Sequence, residues 1–324
     1  MPKNVGVEPV FSRLTSGLPY LIHLYGDITM LLTQKPKSRY RGRQSKRPEI
    51  TPHQAKQKAI RLLRENRLSP MAVQVTEALA TGGVLTSGQL YHVTTVSPRT
   101  LQKYHKQYLL DRLPILADEL MALDLADDPA KLRLYTLGPV GLEVARIRHE
   151  HVPTGYTGYG THRIIHDVLT NEVVLRLAAL AVERGYEPLW YSKYEATVHD
   201  ERGNPALEPD AMPAVPRDGV YRYFVVEFHN EDKRTRARSK VDRYERVYRD
   251  GRWRNELETD EMPAVLAVFT HKIVGKGYRE AISSRSMRPR CVFLGKSWRD
   301  VIAGDDMARW FNFNQGKMVD ILED

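Results

Sequence analysis

Three acids and two bases in this chain are spaced as a metal-assisted phosphodiester chemistry would need them. Glu227 closes the most strand-like run, Tyr221-Arg222-Tyr223-Phe224-Val225-Val226-Glu227-Phe228-His229. Strand residues alternate faces, so Tyr223, Val225, Glu227 and His229 share one side, and Phe224, Val226 and Phe228 share the other. Glu227 and His229 thus stand as two ligand-type groups at one end of an apolar strand. Seventeen residues upstream of Glu227 is the pair Pro209-Asp210, where proline suits a turn or strand edge. Hard divalent ions need carboxylate oxygens converging from separate elements, and such an ion can activate water and offset charge on a phosphate. Lys240 is a candidate cation beside that phosphate, although taken alone it reads as a solvated surface lysine. His229 is a candidate ligand or proton carrier, because imidazole changes charge near neutral pH.

These side chains have to be positioned by an α/β framework. A helix is expected over about 161–184, stopping at Gly185. Its residues Ile165, Val168, Glu172, Leu175, Ala179 and Val182 fall on one face, five apolar and one acidic. A charge on a core-facing stripe is costly without a partner or a metal, so Glu172 is expected to point into a site at the core's edge. Strands follow over 187–198, around 207–214 and over 221–229. Then come a charged helix over about 233–249, an apolar strand over 264–269, a helix near 278–284 and a strand over 291–294. The order α-β-β-β-α-β-α-β predicts an α/β domain with a mixed sheet.

The first half reads differently. From Gln34 to Leu68 there are twelve Lys/Arg against Glu49 and Glu65, an excess that accounts for the whole formal charge of +9. Such a run, with Arg41 and Arg43 in it, attracts polyanions by releasing their counterions; its bland reading is a solvated tail. Pro70 to Leu79 reads as a helix ending at Thr81-Gly82-Gly83. Thr86 or Ser87 can cap a short second helix, and Ser97-Pro98 starts a third. That third helix turns Leu101, Tyr104 and Tyr108 to one side. Its other side shows Arg99, Gln102, Lys103 and Lys106, the residues we expect to contact DNA. A strand over 132–138 and a helix over 139–148 follow. Three helices and a strand resemble a winged helix-turn-helix, with the third helix suited to a major groove. The Pro- and Gly-rich stretch 151–160 marks the expected boundary.

Composition excludes other classes. The 42% hydrophobic fraction of 324 residues suffices for a core, and the single cysteine, Cys291, excludes an intramolecular disulfide or a cysteine-based zinc cluster. It lies in an apolar run and reads as a buried core thiol. No apolar stretch approaches the ~20 residues of a membrane span. With no basic-then-apolar leader in the first residues, we expect no signal peptide and a cytoplasmic protein. There is no glycine-rich phosphate loop or nucleophile elbow to suggest an enzyme of small substrates.

The stretches HDVLTNEVVLRL (166–177), EPDAM (208–212), VVEFHNEDKRT (225–235), SKVDRYERVY (239–248) and PAVLAVFTH (263–271) resemble the replication-relaxation proteins of plasmids and other mobile elements. More broadly they resemble the PD-(D/E)XK, restriction-endonuclease-like superfamily. The resemblance spans about residues 70–295. It implies a basic extension over 1–68, a winged helix-turn-helix over 69–150 and an αβββαβ nuclease-like domain with a mixed sheet over 161–324. It further implies that Asp210 and Glu227 hold Mg2+ or Mn2+, with Glu172 in support. The partners it implies are DNA, other proteins of a mobile-element machinery and, as a homodimer, a second copy of the chain; it implies no membrane. Two departures stand out. His229 occupies the position expected for lysine, which Lys240 on the next helix could replace. The acid expected nearby is absent unless Glu231 or Asp232 supplies it. The implied activity is DNA cleavage or nicking; the alternative is a non-catalytic DNA-binding factor that has kept the fold.

Overall fold

The computed structural model describes residues 47–113, 133–149, 156, 158–217, 220–257, 259–285, 289–304 and 306–323. Arg41 and Arg43 lie outside the described residues. Chain contacts divide the protein into two compact units, one reaching Val168 and one from Leu169 onward.

In the first unit, local side-chain chemistry sets the helix starts. Helix α1, Pro52–Arg64, was not expected from the sequence, yet Thr51 and Gln54 form a reciprocal capping box at its start. Helix α2, Pro70–Gly82, begins at the Ser69 cap and ends at Gly83, whose φ of 73° favours glycine. Strand β1, Val84–Thr86, leads into α3, Ser87–Thr94, capped by Thr86 with Gln89 closing the box. Helix α4, Pro98–Lys106, starts at the Ser97 cap as expected. Strands β2, Leu110–Leu113, and β3, Leu134–Leu137, precede α5, Pro139–Arg148. The three strands form an antiparallel sheet in the order β1-β3-β2. Val75, Leu79, Leu85, Leu90, Leu101, Leu110, Val140 and Val144 are wholly buried and form its core. Buried Glu77 on α2 is balanced by Arg148 on α5, at 2.5 Å.

The second unit is built on a mixed sheet. Helix α6, Thr161–Glu183, enters it and ends before Gly185 in the left-handed conformation. The expected strand over 187–198 is split into β4, Leu189–Tyr191, and β5, Val198–His199. Between them Ser192 and Glu195 exchange side chain–backbone hydrogen bonds that turn the chain. Strand β6, Pro205–Leu207, pairs only with β5. Strands β7, Met212–Arg217, and β8, Val220–His229, are followed by α7, Arg234–Asp250, and the single turn α8, Trp253–Glu256. Then come β9, Ala264–Phe269; α9, Lys272–Ser283; β10, Phe293–Ser297; α10, Trp298–Ala303; β11, Arg309–Asn312; and β12, Lys317–Asp320.

The seven-stranded order is β12-β11-β10-β9-β8-β7-β4. Only β8–β9 and β9–β10 are parallel, joined by crossovers through α7 and α9. The other pairs are antiparallel. One face of the parallel centre, with Val225, Val265, Ala267 and Phe293, is covered by Ala237, Val241 and Tyr244 of α7 and Val274 and Tyr278 of α9. On the other face Phe228 meets Trp298 of α10 edge-on at 5.3 Å. Cys291 is buried as expected, just before β10 rather than in it.

Glycine is required where α5 crosses the backbone of Leu109. A Cβ on Gly141 would come within 2.1 Å of the Leu109 carbonyl oxygen. Gly141→Ala is expected to destabilise the protein by about 1–3 kcal/mol in urea unfolding. Gly88→Ala, whose Cβ would meet only Thr86 Oγ1 at 3.6 Å, should stay within about 0.5 kcal/mol of the parent. Equal losses for the two would contradict this packing.

Candidate active site

Glu227 sits in the last turns of the pleat of β8 and is 1% exposed. Its neighbour across the parallel ladder is Ala267, whose small side chain leaves room beside the carboxylate. Two groups from α7 meet it, one turn apart. Tyr244 donates its hydroxyl hydrogen to Glu227 Oε1 at 2.6 Å. The Lys240 ammonium forms an ion pair with Glu227 Oε2. The i, i+4 spacing of Lys240 and Tyr244 puts both on the helix face that covers the sheet.

Asp210 is fixed beside them by backbone. It lies in the connection between β6 and β7, after the buried Pro209. Its N–H donates to the Val226 carbonyl at 3.0 Å, and the Val226 N–H donates to Ala211 O at 2.8 Å. Beyond that point its own carboxylate takes over the ladder: Phe228 N–H donates to Asp210 Oδ2 at 2.8 Å. Asp210 therefore brackets Glu227, with its backbone N–H on Val226 and its carboxylate on Phe228.

The electrostatics follow from that crowding. Burial raises the pKa of Glu227; the Lys240 cation opposes this, the Asp210 charge adds to it, and the net shift is upward. Burial pulls Lys240 down, but the charges of Glu227 and Asp210 outweigh it and hold the ammonium protonated above the ordinary lysine value. Tyr244 and Tyr278 are both pushed well up, first by burial and then by the Glu227 charge, so their hydroxyls keep their protons. The Lys240 side chain is 23% exposed and Asp210 is half-buried, so the cluster meets solvent at both while Glu227 does not.

The remaining expected residues divide. His229 is buried, and its Nε2 is 2.9 Å from the Tyr278 hydroxyl, on the same face as Glu227. Tyr278 on α9 was not anticipated, because nothing in sequence ties it to a residue 49 positions away. Glu172 is ion-paired at 2.8 Å to Arg176 on its own helix, and Arg176 in turn donates to the carbonyls of Val301 and Ile302 at 3.2 Å. The expected stripe is not distinct, because α6 is buried on nearly every side: Val168, Leu169, Val173, Val174 and Leu177 are all fully covered. The i, i+4 arginine was the readable signal for Glu172. Glu231 is paired with Arg236 at 3.1 Å. In the first unit, Arg99, Gln102, Lys103 and Lys106 are all exposed on α4, while Leu101 and Tyr104 are buried. Tyr108 lies beyond the helix end rather than on its inner face, at a φ of 67°.

As to a divalent ion, no group of three or more His, Cys, Asp or Glu with metal-holding geometry occurs among the described residues. Asp210 and Glu227 make a pair. A pair fits magnesium, which is commonly held by one or two carboxylates with water and substrate phosphate completing the shell. It does not fit an ion needing an all-protein cage.

Lys240 also makes a stability prediction. The folded state binds the Glu227 proton more tightly than the unfolded chain, so this group's contribution falls as pH rises above the ordinary glutamate range. Lys240→Met removes the cation that most opposes that trend. It should cost about 3–5 kcal/mol near pH 8 and less near pH 5, read by urea unfolding. Adding Glu227→Gln should restore most of the loss. A loss independent of pH would show that Glu227 is not the uncompensated charge.

Comparison with characterised proteins and with solved structures gave no match. The model of one protein family, described as replication-relaxation, matches residues 77–259, which is more than half of the chain and includes α4, Asp210, Glu227 and Lys240. The chain belongs to the replication-relaxation family.

Proposed function

We propose that this protein binds DNA through its first unit and acts on DNA phosphodiesters through a divalent-metal site in its second. Family membership points to a role in the replication or mobilisation of plasmids and other mobile elements. The observation that carries the catalytic part is the meeting of Asp210, Glu227 and Lys240 from three separate elements at one buried point. The Asp210 charge adds to the burial that already disfavours ionising Glu227, a cost that a purely structural ion pair does not need.

The order helix–strand–helix–helix–strand–strand, with the β1-β3-β2 sheet, supports a winged helix-turn-helix reading of the first unit. In that reading α4 enters the major groove with Arg99, Gln102, Lys103 and Lys106 toward the DNA. The α6-β-β-β-α7-β9 core, with its acids on β8 and just before β7, supports a PD-(D/E)XK-like reading of the second.

Asp210 and Glu227 would hold Mg2+ or Mn2+, which when bound supplies an acidified water and offsets charge on the phosphate. The chain's own part is positional. Tyr244 fixes one oxygen of Glu227 and thereby aims the other. Lys240, kept protonated by the two acids, takes the place of the lysine that His229 replaces on the strand, and offers its ammonium to the charge developing on the phosphate. His229, tied to Tyr278, holds the sheet end in register with α9. Supercoiled plasmid with magnesium or manganese tests this. The parent should nick or cut it, and Asp210→Asn, Glu227→Gln and Lys240→Ala should each slow cleavage by about 100-fold or more while still binding DNA. Full cleavage by the Asp210→Asn and Glu227→Gln variants would falsify the site.

One observation favours a second reading, a non-catalytic DNA-binding factor. Both oxygens of Glu227 already have partners within the chain. Steeply salt-dependent DNA binding with no metal-dependent nicking would select that reading.

A further inference from the structure

Beside the end of α4 lies a groove of about 770 Å3 that the chemistry above does not use. Its wall is α1, which presents Lys58, Arg61 and Arg64, and Tyr108 closes one end. The Tyr108 ring has cations on it from two directions, the Arg47 guanidinium at 4.2 Å from its centroid and the Lys58 ammonium at 4.9 Å. Arg47 also ties this ring to α4. It donates to the carbonyls of His105, in the last turn of α4, at 2.6 Å and of Leu110 at 3.1 Å, and pairs with Asp111 at 2.5 Å. Tyr108 is held in the left-handed region, an uncommon place for a bulky side chain and one often kept where a residue has work to do.

The charge in the groove is unbalanced. Two acids, Glu49 and Glu65, also line the groove, but among the described residues no carboxylate pairs with Lys58, Arg61 or Arg64; Glu65 pairs with Arg67, and Arg47 with Asp111. The pKa of Lys58 is pulled down, first by burial and then by the charges of Arg61 and Arg47, so the cations destabilise one another as they stand. Solvated cations on a helix usually spread apart or pair with acids at i±4; Arg61 has Glu65 four residues on, but that acid pairs with Arg67 instead. The three cations recur at every third residue, in steps of about 4.5 Å along the axis. A row of cations matches a linear polyanion better than a single small anion. Ile50 and Ile60 add apolar lining to the same groove, as sugar faces between phosphates would require. On the chain, exposed Lys106 in the last turn of α4 lies two residues before Tyr108.

We propose that the α1 groove binds the sugar–phosphate backbone of the same DNA duplex that α4 reads, with Lys58, Arg61 and Arg64 on phosphates and Tyr108 as the joint between the two surfaces. The inference rests on the DNA-binding reading of the first unit. It assigns α1 the sequence-independent share of affinity and leaves base discrimination to α4.

The test uses the full chain and labelled duplex DNA of mixed sequence, with affinity measured from about 50 to 200 mM salt. Lys58→Ala/Arg61→Ala/Arg64→Ala keeps good helix formers throughout and should unfold in urea as the parent does. It should weaken binding at least about tenfold at low salt, and flatten the slope of log affinity against log salt by up to about 2.7, at about 0.9 per lost phosphate contact. The single variants Arg61→Ala and Arg64→Ala, at exposed positions, should each flatten it by about 0.9, which keeps the test sound if the triple variant folds poorly. A charge-matched control, Lys272→Ala/Lys276→Ala/Lys317→Ala, should leave the slope unchanged. Parent-like slope and affinity in the α1 variants, together with weakened binding in Gln102→Ala/Lys103→Ala, would overturn the groove assignment and leave the α4 reading intact. An equal effect of the control would reduce the groove to bulk charge. No binding by the parent chain at low salt would remove both readings.

Discussion

Burying a carboxyl group is among the costlier things a fold can do, and the second unit, which also covers Glu245, does it most completely at Glu227. The cost is tolerable because α7 delivers a hydroxyl and an ammonium to its two oxygens. That demand fixes the pairing of α7 with the sheet. Val241 and Tyr244 must lie over Val225 and Ala267 for Lys240 to reach Glu227. Asp210 adds a second charge, and its carboxylate also accepts the Phe228 N–H where β8 lacks a ladder partner. Three charges, those of Asp210, Glu227 and Lys240, thus gather around a carboxyl group that is itself almost fully buried.

The first unit poses a different problem, how a small three-stranded sheet and, among the described residues, five short helices hold a cationic surface in place. Caps do much of it: Thr51, Ser69, Thr86 and Ser97 each accept a backbone hydrogen bond at a helix start. Close approach does the rest, with Gly141 letting α5 lie on the backbone of Leu109, next to the turn that carries Tyr108. The exposed face of α4 and the groove of α1 are thereby fixed to one short segment, His105 to Asp111, through Arg47.

Much of this was readable before the structure, where the signal is local. The alternation in Tyr223–His229 put Glu227 and His229 on one face, and the caps at Thr86 and Ser97 set two helices correctly. What was not readable depends on partners far away in sequence. Lys240 alone is indistinguishable from a solvated lysine; only the fold brings it to Glu227. Tyr278 gains its meaning from His229. For Glu172, a helix buried on most sides has no single apolar stripe to read, so periodicity carried no information about which way the acid faces. Helix α1 was legible in Thr51-Pro52-His53-Gln54 but was masked by the charge of the run around it. The strand expected over 187–198 failed because the Ser192–Glu195 turn competes with the ladder for the same backbone groups.

The central claim is that Asp210 and Glu227 together form a divalent-ion site that Lys240 occupies electrostatically in the ion's absence. Titration of the full chain with Mn2+, followed by electron paramagnetic resonance of the free ion, addresses it without relying on cleavage. The account predicts one bound Mn2+ per chain, abolished in Asp210→Asn and in Glu227→Gln, and bound more tightly in Lys240→Ala/Tyr244→Phe if that variant folds, because the competing partners of Glu227 are then gone. Binding by the parent no stronger than by the Asp210→Asn variant would contradict it.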